Sequence, residues 1–464
     1  LGASDSVTVT GLANAAQGAA INDRDAITDN ITFNVKDTAA ALVQNEAKLD
    51  LANDVSVGGD GDNDLTVAEA VKLTGIANFD GKKGFTISDD AAAVAGAEAT
   101  LLGASDSVTV TGLANAAQGA AINDRDAITD NITFKVKDTA DALVQNEAKL
   151  DLANDVSVGG DGDNDLTVDQ AVKLTGIENF DGKKGFTISD DAAAVAGAEA
   201  TLLGASDSVT VTGLANAAQG AAINDRDAIT DNITFNVKDT AAALVQNEAK
   251  LDLANDVSVG GDGDNDLTVA EAVKLTGIEN FDGKKGFTIS DDAAAVAGAE
   301  ATLLGASDSV TVTGLANAAQ GAAINDRDAI TDNITFNVKD TAAALVQNEA
   351  KLDLANDVSV GGDGDNDLTV DQAVKLTGIA KFDDNGGFTI SDNAAAVAGA
   401  SADLLGASDS VTVTGLANAA QGAAINSRQS VINADQASAD VKTDISFSVR
   451  DAGAGLNTEL SADK

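Results

Sequence analysis

The sequence predicts an α/β repeat protein, a solenoid of strand–helix coils of about 24 residues with four coils in each repeat. Three observations support this prediction: a heptapeptide recurs at a fixed interval, short segments alternate apolar and polar residues, and alanine-rich segments separate them. Tandem β-sandwich domains are the alternative. They fit less well, because sandwiches need more β-branched and aromatic residues than a chain with 13 Phe and no Trp or Tyr provides.

The repeat is defined by the heptapeptide LGASDSV. It begins at Leu1, Leu102, Leu203, Leu304 and Leu405, so the period is 101 residues. We therefore divide the chain into four full repeats and a partial, divergent fifth repeat, at residues 1–101, 102–202, 203–303, 304–404 and 405–464. Near identity at a fixed period is typical of arrays in which each unit packs against its neighbours in the chain.

Four segments of each full repeat have the period-two alternation of a half-buried strand. In repeat 1 these segments begin at Val7, Ile31, Val55 and Phe85. Because stacked strands lie about 4.8 Å apart, about 18 such coils would form a rod roughly 85 Å long. The sequence therefore predicts a continuous stack of short strands.

Alanine-rich segments between the strands predict short helices. In residues 38–52 and 90–102 the apolar side chains fall on one helical face. The dipeptides at 37–38 and 88–89 precede them and are candidate N-caps. Alanine suits helices that must pack at the narrow spacing of the strands, because it has high helix propensity and little bulk.

The chain is strongly acidic and lacks several residue types. It has 28 Lys and Arg against 74 Asp and Glu, a formal net charge of −46, and no His, Cys, Met, Trp, Tyr or Pro. The absence of His and Cys excludes imidazole and thiolate catalysis, disulfides and the usual zinc sites. The negative charge argues against nucleic acid or an anionic membrane as a partner, and no apolar segment is long enough to insert into a bilayer. We therefore expect a protein that is not an enzyme and that binds multivalent cations.

Each full repeat contains the segment GGDGDNDLT, at 58–66, 159–167, 260–268 and 361–369. Its glycines permit a tight loop, and its side chains supply the hard oxygen ligands that Ca²⁺ prefers. We predict that calcium is bound by Asp60, Asp62, Asn63, Asp64, Asp161, Asp163, Asn164, Asp165, Asp262, Asp264, Asn265, Asp266, Asp363, Asp365, Asn366 and Asp367. The corners of adjacent coils provide candidates to complete the ligand shell: Asp37, Asp89, Asp138, Asp190, Asp239, Asp291, Asp340 and Asp392.

Two other interpretations apply to the acidic loop. An EF-hand loop that starts at Asp60 needs glycine at its sixth position and a carboxylate at its twelfth, but Leu65 and Val71 stand there. The nearby Glu69 cannot supply the missing carboxylate, because glutamine replaces it in repeats 2 and 4. We therefore reject the EF-hand. The other interpretation is a solvated acidic turn that binds no ion and serves solubility alone.

The solvent side of the predicted strands offers a second kind of surface. Its side chains in repeat 1 are Thr8, Thr10, Thr32, Asn34, Ser56, Thr86 and Ser88. Stacked in regular rows, such side chains would present a hydroxyl-rich face able to bind carbohydrate or ice. A solvent-facing strand in which threonine is favoured explains the same residues.

The acidic segment resembles the nonapeptide G-G-x-G-x-D-x-U-x of RTX-type secreted proteins, with Asn63 at the usual Asp position and Leu65 at the apolar one. Together with strand–helix segments such as FTISDDAAAV and FNVKDTAAAL, it is similar to the repeat regions of large RTX-type bacterial surface proteins: adhesins, S-layer proteins and oscillin-like proteins. One difference is that RTX nonapeptides occur in tandem, with ions held between successive turns.

The resemblance implies a secreted protein, exported by a type I pathway, that binds extracellular calcium and acts in a surface layer or biofilm matrix. We therefore expect an extracellular, calcium-stiffened structural rod or fibre. Its expected partners are calcium ions, other copies of itself through bundling or end-to-end assembly, or surface polysaccharide. The carbohydrate- or ice-binding face is the alternative function.

Overall fold

The computed structural model describes residues 5–24, 29–125, 128–226, 229, 232–327, 333–384, 386–436 and 443–450. The chain divides into two compact bodies, one of residues 1–215 with 222–235 and one of residues 216–221 with 236–464. Each body alternates short strands with short helices. Below, a unit is one strand together with the helix that follows it.

The strands are short and follow the repeat. In the described residues they are β1 Val7–Ala13, β2 Ile31–Asp37, β3 Asp54–Val57, β4 Asp64–Leu65, β5 Thr86–Asp90, β6 Val108–Thr111, β7 Ile132–Thr133, β8 Lys135–Asp138, β9 Asp155–Val158, β10 Asp165–Leu166, β11 Thr187–Asp191, β12 Val209–Ala215, β13 Ile233–Asp239, β14 Asp256–Val259, β15 Asp266–Leu267, β16 Thr288–Asp292, β17 Ser309–Ala316, β18 Ile334–Asp340, β19 Asp357–Val360, β20 Asp367–Leu368, β21 Thr389–Asn393, β22 Ser410–Ala417 and β23 Asp444–Val449.

The helices recur with the same period. Over the same residues they are α1 Ala15–Asn22, α2 Ala39–Gln44, α3 Val67–Gly75, α4 Ala91–Gly96, α5 Ala99–Gly103, α6 Ala116–Asn123, α7 Ala140–Gln145, α8 Val168–Gly176, α9 Ala192–Gly197, α10 Ala200–Ala205, α11 Ala217–Asn224, α12 Ala241–Gln246, α13 Val269–Gly277, α14 Ala293–Gly298, α15 Ala301–Ala306, α16 Ala318–Asn325, α17 Ala342–Gln347, α18 Val370–Thr377, α19 Ala394–Gly399, α20 Ala402–Gly406 and α21 Ala419–Asp435. Short 3₁₀ helices follow at Glu46–Lys48, Glu147–Lys149, Glu248–Lys250 and Glu349–Lys351.

Strand pairing is parallel and runs in chain order, as in β1-β2-β3, β4-β5-β6-β7 and β15-β16-β17-β18-β19. Val7 pairs with Ile31 and Val35 pairs with Val55, so each strand lies beside the next strand of the sequence. This pairing confirms an α/β repeat protein with parallel sheets and a solenoid-like architecture. β-Sandwiches are built from antiparallel sheets, so the sandwich alternative does not fit these strand pairs.

The core is a thin layer between strands and helices. Phe33, Val35, Leu42 and Leu49 are all at most 1% exposed. A glycine allows this close packing, because a Cβ atom at Gly18 in α1 would meet the side chains of Val35 and Leu49. Helix α1 therefore lies almost directly against β2, as expected for an alanine- and glycine-rich helix on a sheet.

The helices are shorter than the sequence predicts. Residues 38–52 form α2 and a 3₁₀ helix, because Asn45 ends α2 and its side chain donates to the carbonyl of Ala41. Residues 90–102 form α4 and α5, which are separated by extended backbone at Ala97. Thr38 caps α2 as predicted, but the cap of α4 is Asp90, one residue beyond the predicted dipeptide.

Successive repeats are also joined at helix C-termini. Arg125 of repeat 2 donates from Nη2 to the carbonyl of Ala95 near the end of α4, and Arg226 and Arg327 repeat this contact on Ala196 and Ala297. A cation at a helix C-terminus satisfies a carbonyl that has no partner within the helix and interacts favourably with the helix dipole.

Candidate functional site

The acidic loop lies at a corner between two short strands. Residues 58–63 connect β3, which pairs with β2, to β4, which pairs with β5. Val55 of β3 also forms a parallel bridge with Phe79 of the following unit. The loop is therefore an insertion in a strand that continues on either side of it, and its position is fixed by sheet pairing on both flanks.

The glycines of the loop lie close against side chains of the preceding unit. A Cβ atom at Gly58 would meet the aliphatic carbons and Nζ of Lys36, and one at Gly61 would meet the methyl group of Thr38. Gly59 has a φ of +120°, a conformation that residues with a side chain rarely adopt. The positive φ of Gly59 and the contact of Gly61 with Thr38 therefore explain two of the three glycines without an ion, whereas the flexible Lys36 side chain can move away from a Cβ atom at Gly58.

The side chains of the loop hold it in shape. The Oδ1 atom of Asn63 accepts the backbone N–H of Ala39 at 2.8 Å, and its Nδ2 donates to the carbonyl of Gly59. Asp62 accepts the backbone N–H of Asp64 at 3.1 Å. In turn, Asp64 accepts the hydroxyl of Thr86 at 2.8 Å. The loop is therefore tied to the preceding unit by Asn63 and to the following one by Asp64.

Asp37 and Asp89 cap helices of the preceding unit. Asp37 accepts the N–H of Ala15, the first residue of α1, at 2.9 Å, and Asp89 accepts that of Val67, the first residue of α3, at 2.9 Å. The second oxygen of each carboxylate accepts the N–H of the next residue at 2.8 Å. The same first contact is made by Asp138, Asp190, Asp239, Asp291, Asp340 and Asp392.

These three residues, Asp37, Asn63 and Asp89, are called the cross-unit caps below. Each satisfies a backbone N–H at the N-terminus of the helix in the unit before it, where the first N–H groups have no partner within the helix. Sequence analysis missed this role. The signal that could have indicated it is a polar residue that recurs in every full repeat at the end of β2, directly before β4 and near the end of β5.

Calcium chemistry fits the loop in its donor atoms. Asp60, Asp62 and Asp64 are exposed and offer carboxylate oxygens beside the carbonyls of a glycine-rich turn, an oxygen-only donor set. Over the residues that the structure describes, however, no three acidic side chains converge as metal ligands do. The ammonium of Lys36 lies beside Gly58 and offsets part of the charge of the loop.

Glu69, three residues beyond Thr66, belongs to a capping box. Its Oε2 atom accepts the backbone N–H of Thr66 at 3.0 Å and the hydroxyl of Thr66 at 2.8 Å. Both hydrogen bonds lower the pKa of Glu69, and the one from the backbone N–H has the larger effect. The nearby Lys72 lowers the pKa further. Gln170 takes the same backbone contact in repeat 2 at 2.9 Å. Glu69 therefore serves the helix, in agreement with rejection of the EF-hand.

The hydroxyl face is regular only over short distances. Ser88, Thr109 and Thr133 are direct neighbours on three successive strands. Elsewhere on the same face Lys36 lies beside Ser56, and Leu12, at a bulge of β1, is 61% exposed. The rows of hydroxyl groups are thus interrupted within each repeat.

No protein-family model matches the chain, and no curated protein matches it. Among the helices of the described ranges, none combines the length and the apolar character needed to cross a membrane.

Proposed function

We propose that this chain is a structural repeat segment of a secreted bacterial surface or matrix protein, and that Ca²⁺ bound at the acidic corner loops stiffens it. The observation that supports a structural role is the set of cross-unit caps. The helix N-termini at Ala15, Ala39 and Val67 are each completed by a side chain of the following unit. A unit taken alone has an unfinished helix, which favours a continuous array.

The finer architecture that we propose is a solenoid with four coils in each repeat. The rungs of repeat 1 begin at β1, β2, β3 and Phe79 with β5, and the next repeat begins at β6. The steps between rung starts at Val7, Ile31, Val55, Phe79 and Val108 are 24, 24, 24 and 29 residues, so only the fourth coil is longer than the others. In such a stack each coil needs its neighbours, because short strands and helices are not stable alone.

In this proposal the rigidity of the array depends on bound calcium. The exposed aspartates within each loop repel one another in a chain of net charge −46, and a divalent ion would relieve that repulsion. An ion that binds only the folded form stabilises it by mass action. The chain would then remain loose where calcium is scarce and stiffen outside the cell, where it would assemble with other copies of itself or with surface polysaccharide.

The test is a thermal melt of the chain by circular dichroism, in EDTA, in millimolar Ca²⁺ and in millimolar Mg²⁺. We expect Ca²⁺ to raise the melting temperature by at least about 5 °C more than Mg²⁺ does, because Mg²⁺ gives up its water reluctantly. Equal melting temperatures in all three solutions would rule out the calcium part of the proposal.

A matched pair of variants separates specific binding from general charge relief. The first variant replaces Asp60 and Asp62, and their equivalents in repeats 2 to 4, with asparagine. The second makes the same change at two exposed aspartates of each repeat outside the loop, Asp5 and Asp50, together with Asp106, Asp151, Asp207, Asp252, Asp308 and Asp353. We expect the calcium response to be lost in the first variant only. Equal loss in both would indicate non-specific screening.

A further inference from the structure

A groove lies against helices α3, α4 and α5 and their equivalents in each full repeat; its lining is mainly apolar in repeats 1 to 3 and mainly polar in repeat 4. In repeat 1 it is lined by Val67 and Val71 of α3, by Phe79, by Ala93 of α4 and by Leu101 of α5, among others. The equivalent residues line a groove in repeats 2, 3 and 4. The four cavity volumes are 800, 780, 810 and 730 Å³ in repeat order, so the groove is a regular feature of the array.

The floor of the groove exposes an aliphatic side chain that the fold does not use. Val71 is 55% exposed, and Val172, Val273 and Val374 are 53–55% exposed, in helices whose other large apolar residues are largely buried. A single exposed valine needs no explanation. The four valines stand at the same position of nearly identical repeats, and in repeats 1 to 3 that position lies in a concave, mainly apolar surface of the kind that a partner covers.

The charge of the groove selects the partner. Among the described lining residues of the four grooves there is no Lys or Arg. The charged lining residues are Glu98 in repeat 1, Asp169 and Glu199 in repeat 2, Glu300 in repeat 3, and Asp371, Asp384 and Asp403 in repeat 4. In repeats 1 to 3 two lysines directly follow a lining glycine, as Lys82 and Lys83 follow Gly81, whereas asparagine and glycine stand there in repeat 4, so the acidic character is strongest in repeat 4. A partner complementary to that rim is cationic, with apolar side chains where it meets the exposed valine.

The secondary structure around the groove favours a helical partner. The walls are faces of α3, α4 and α5, in which the backbone groups are already paired, so an extended peptide has no strand edge to join here. A groove between helices accepts apolar side chains spaced i, i+3, i+4 and i+7. A second copy of this chain is a poor occupant of the groove itself, because none of the described lining residues belongs to a loop proposed to bind Ca²⁺, which could offset the repulsion between the acidic rim and a chain of net charge −46.

We propose that these grooves dock amphipathic cationic helices, whose apolar side chains cover Val71 and its equivalents and whose Lys or Arg side chains meet the acidic rim. The proposal goes beyond a structural role, and Ca²⁺ takes no part in the docking contacts. Repeat 4, which has three acidic lining residues, binds most tightly, and repeats 1 and 3, which have one each, bind most weakly.

The probe is an 18-residue peptide of leucine and lysine with leucines at i, i+3, i+4 and i+7, labelled for fluorescence anisotropy. Its control is a peptide of the same composition with the leucines scrambled, which has equal charge and no apolar face. Titration of the whole chain in millimolar Ca²⁺ keeps the array in its stiffened form, and physiological salt limits long-range charge effects, because the Debye length is then about 8 Å. We expect the amphipathic peptide to bind at least tenfold more tightly. Equal affinities would overturn the proposal.

A variant that fills the grooves tests the site itself without a change of charge. Gly96 of α4 lines the groove, and a Cβ atom there would meet no other atom within 4 Å, as at Gly197 and Gly298. Changing these residues and Gly399 to leucine is expected to remove the tenfold preference, while circular dichroism remains unchanged. The corresponding alanine variant is a smaller change that reduces the preference in part. Undiminished preference in folded leucine and alanine variants would overturn the proposal.

The contribution of the acidic rim to binding is tested by replacing the acidic lining residues of repeat 4 with the residues at the equivalent positions of repeat 1. Asp371→Ala, Asp384→Gly and Asp403→Thr convert three positions of repeat 4 to the residues of repeat 1. We expect the tightest class of binding sites to weaken about tenfold. The same number of aspartates changed to asparagine at Asp50, Asp151 and Asp252, which lie outside the grooves, should leave that class intact. If the two triple variants weaken binding equally, the peptide responds to the overall charge of the chain and not to the rim of the groove, and the proposal is overturned.

Discussion

The carboxylate of Asp37 accepts the backbone N–H of Ala15 at 2.9 Å, although the two residues are 22 positions apart. Asp37 ends strand β2, and Ala15 begins helix α1 of the unit before it. Asn14 caps the same helix from within by accepting the N–H of Gln17. Helix α1 is therefore held by one local cap and one cap from the following unit.

Loss of the cross-unit cap should loosen the helix of the preceding unit. We expect Asp37→Ala to reduce the local stability of α1 by about 0.5–2 kcal/mol, the usual effect of losing a helix cap, and Asp37→Asn to cost less because an acceptor oxygen remains. Hydrogen exchange of the α1 amides measures this directly. Asp50→Ala, at an exposed residue, is the control, and an equal effect of Asp50→Ala would contradict the assignment.

Gly61 of the acidic loop should be required because a larger side chain there would clash with a neighbouring residue. Gly61→Ala places a Cβ atom against the methyl group of Thr38, so we expect destabilisation of the order of 1–3 kcal/mol, as for overpacking. Thr38→Ser removes that methyl group and keeps the hydroxyl that caps α2. The double variant should therefore recover most of the loss in urea unfolding. Failure of the serine to rescue would indicate that backbone conformation, rather than contact with Thr38, requires the glycine.

The capping boxes of α3 and α13 should each add a pH-dependent contribution to stability, in repeats 1 and 3, that the equivalent helices of repeats 2 and 4 lack. Hydrogen bonds from Thr66 and Thr268 lower the pKa values of Glu69 and Glu271 in the folded chain. A lowered folded-state pKa means that the carboxylate stabilises the fold above the unfolded-state pKa of glutamate. This contribution is lost as the pH falls through the lowered pKa.

The chain provides its own control for this effect, because Gln170 and Gln372 make the same backbone contact without a titratable group. We expect Glu69→Gln with Glu271→Gln to flatten the acid limb of a pH–stability curve, and Gln170→Glu to steepen it. Hydrogen exchange of α3 and α8 at several pH values measures both changes. A glutamine variant whose acid limb is unchanged would show that other carboxylates dominate.

The hydroxyl face should not bind ice. Ice recognition requires a flat and regular array, and the row of Ser88, Thr109 and Thr133 gives way to charged and apolar residues such as Lys36 and Leu12. We therefore expect no thermal hysteresis above that of an unrelated protein of similar charge, and no change on Thr109→Val. Measurable hysteresis that this substitution abolishes would support the alternative function.

Much of the fold could be predicted from local pattern. Alternation of apolar and polar residues placed the strands at Val7, Ile31 and Val55 to within a residue of their observed starts, and Phe85 just before β5. The short strand at Asp64–Leu65 was missed, because two residues are too few for a pattern and its strand character comes only from pairing with β5.

The candidate site was harder to predict than the fold. A cluster of aspartates in a glycine-rich loop indicates oxygen ligands whatever else those residues do. The sequence does not indicate that Asn63 already binds Ala39, or that the oxygens of Asp37 and Asp89 already accept backbone N–H groups. The calcium prediction therefore depends most on the exposed residues Asp60, Asp62 and Asp64, of which Asp62 and Asp64 each already accept one hydrogen bond within the protein.

By itself, the sequence determined the 101-residue period, the strand positions, the acidity and the location of the acidic loops, because these depend on residue order and composition alone. The tertiary structure decided which unit each polar side chain serves. Asp37 reaches Ala15 only because β1 and β2 pair in parallel with Val7 opposite Ile31. A contact across 22 residues is set by strand register, which local sequence does not encode.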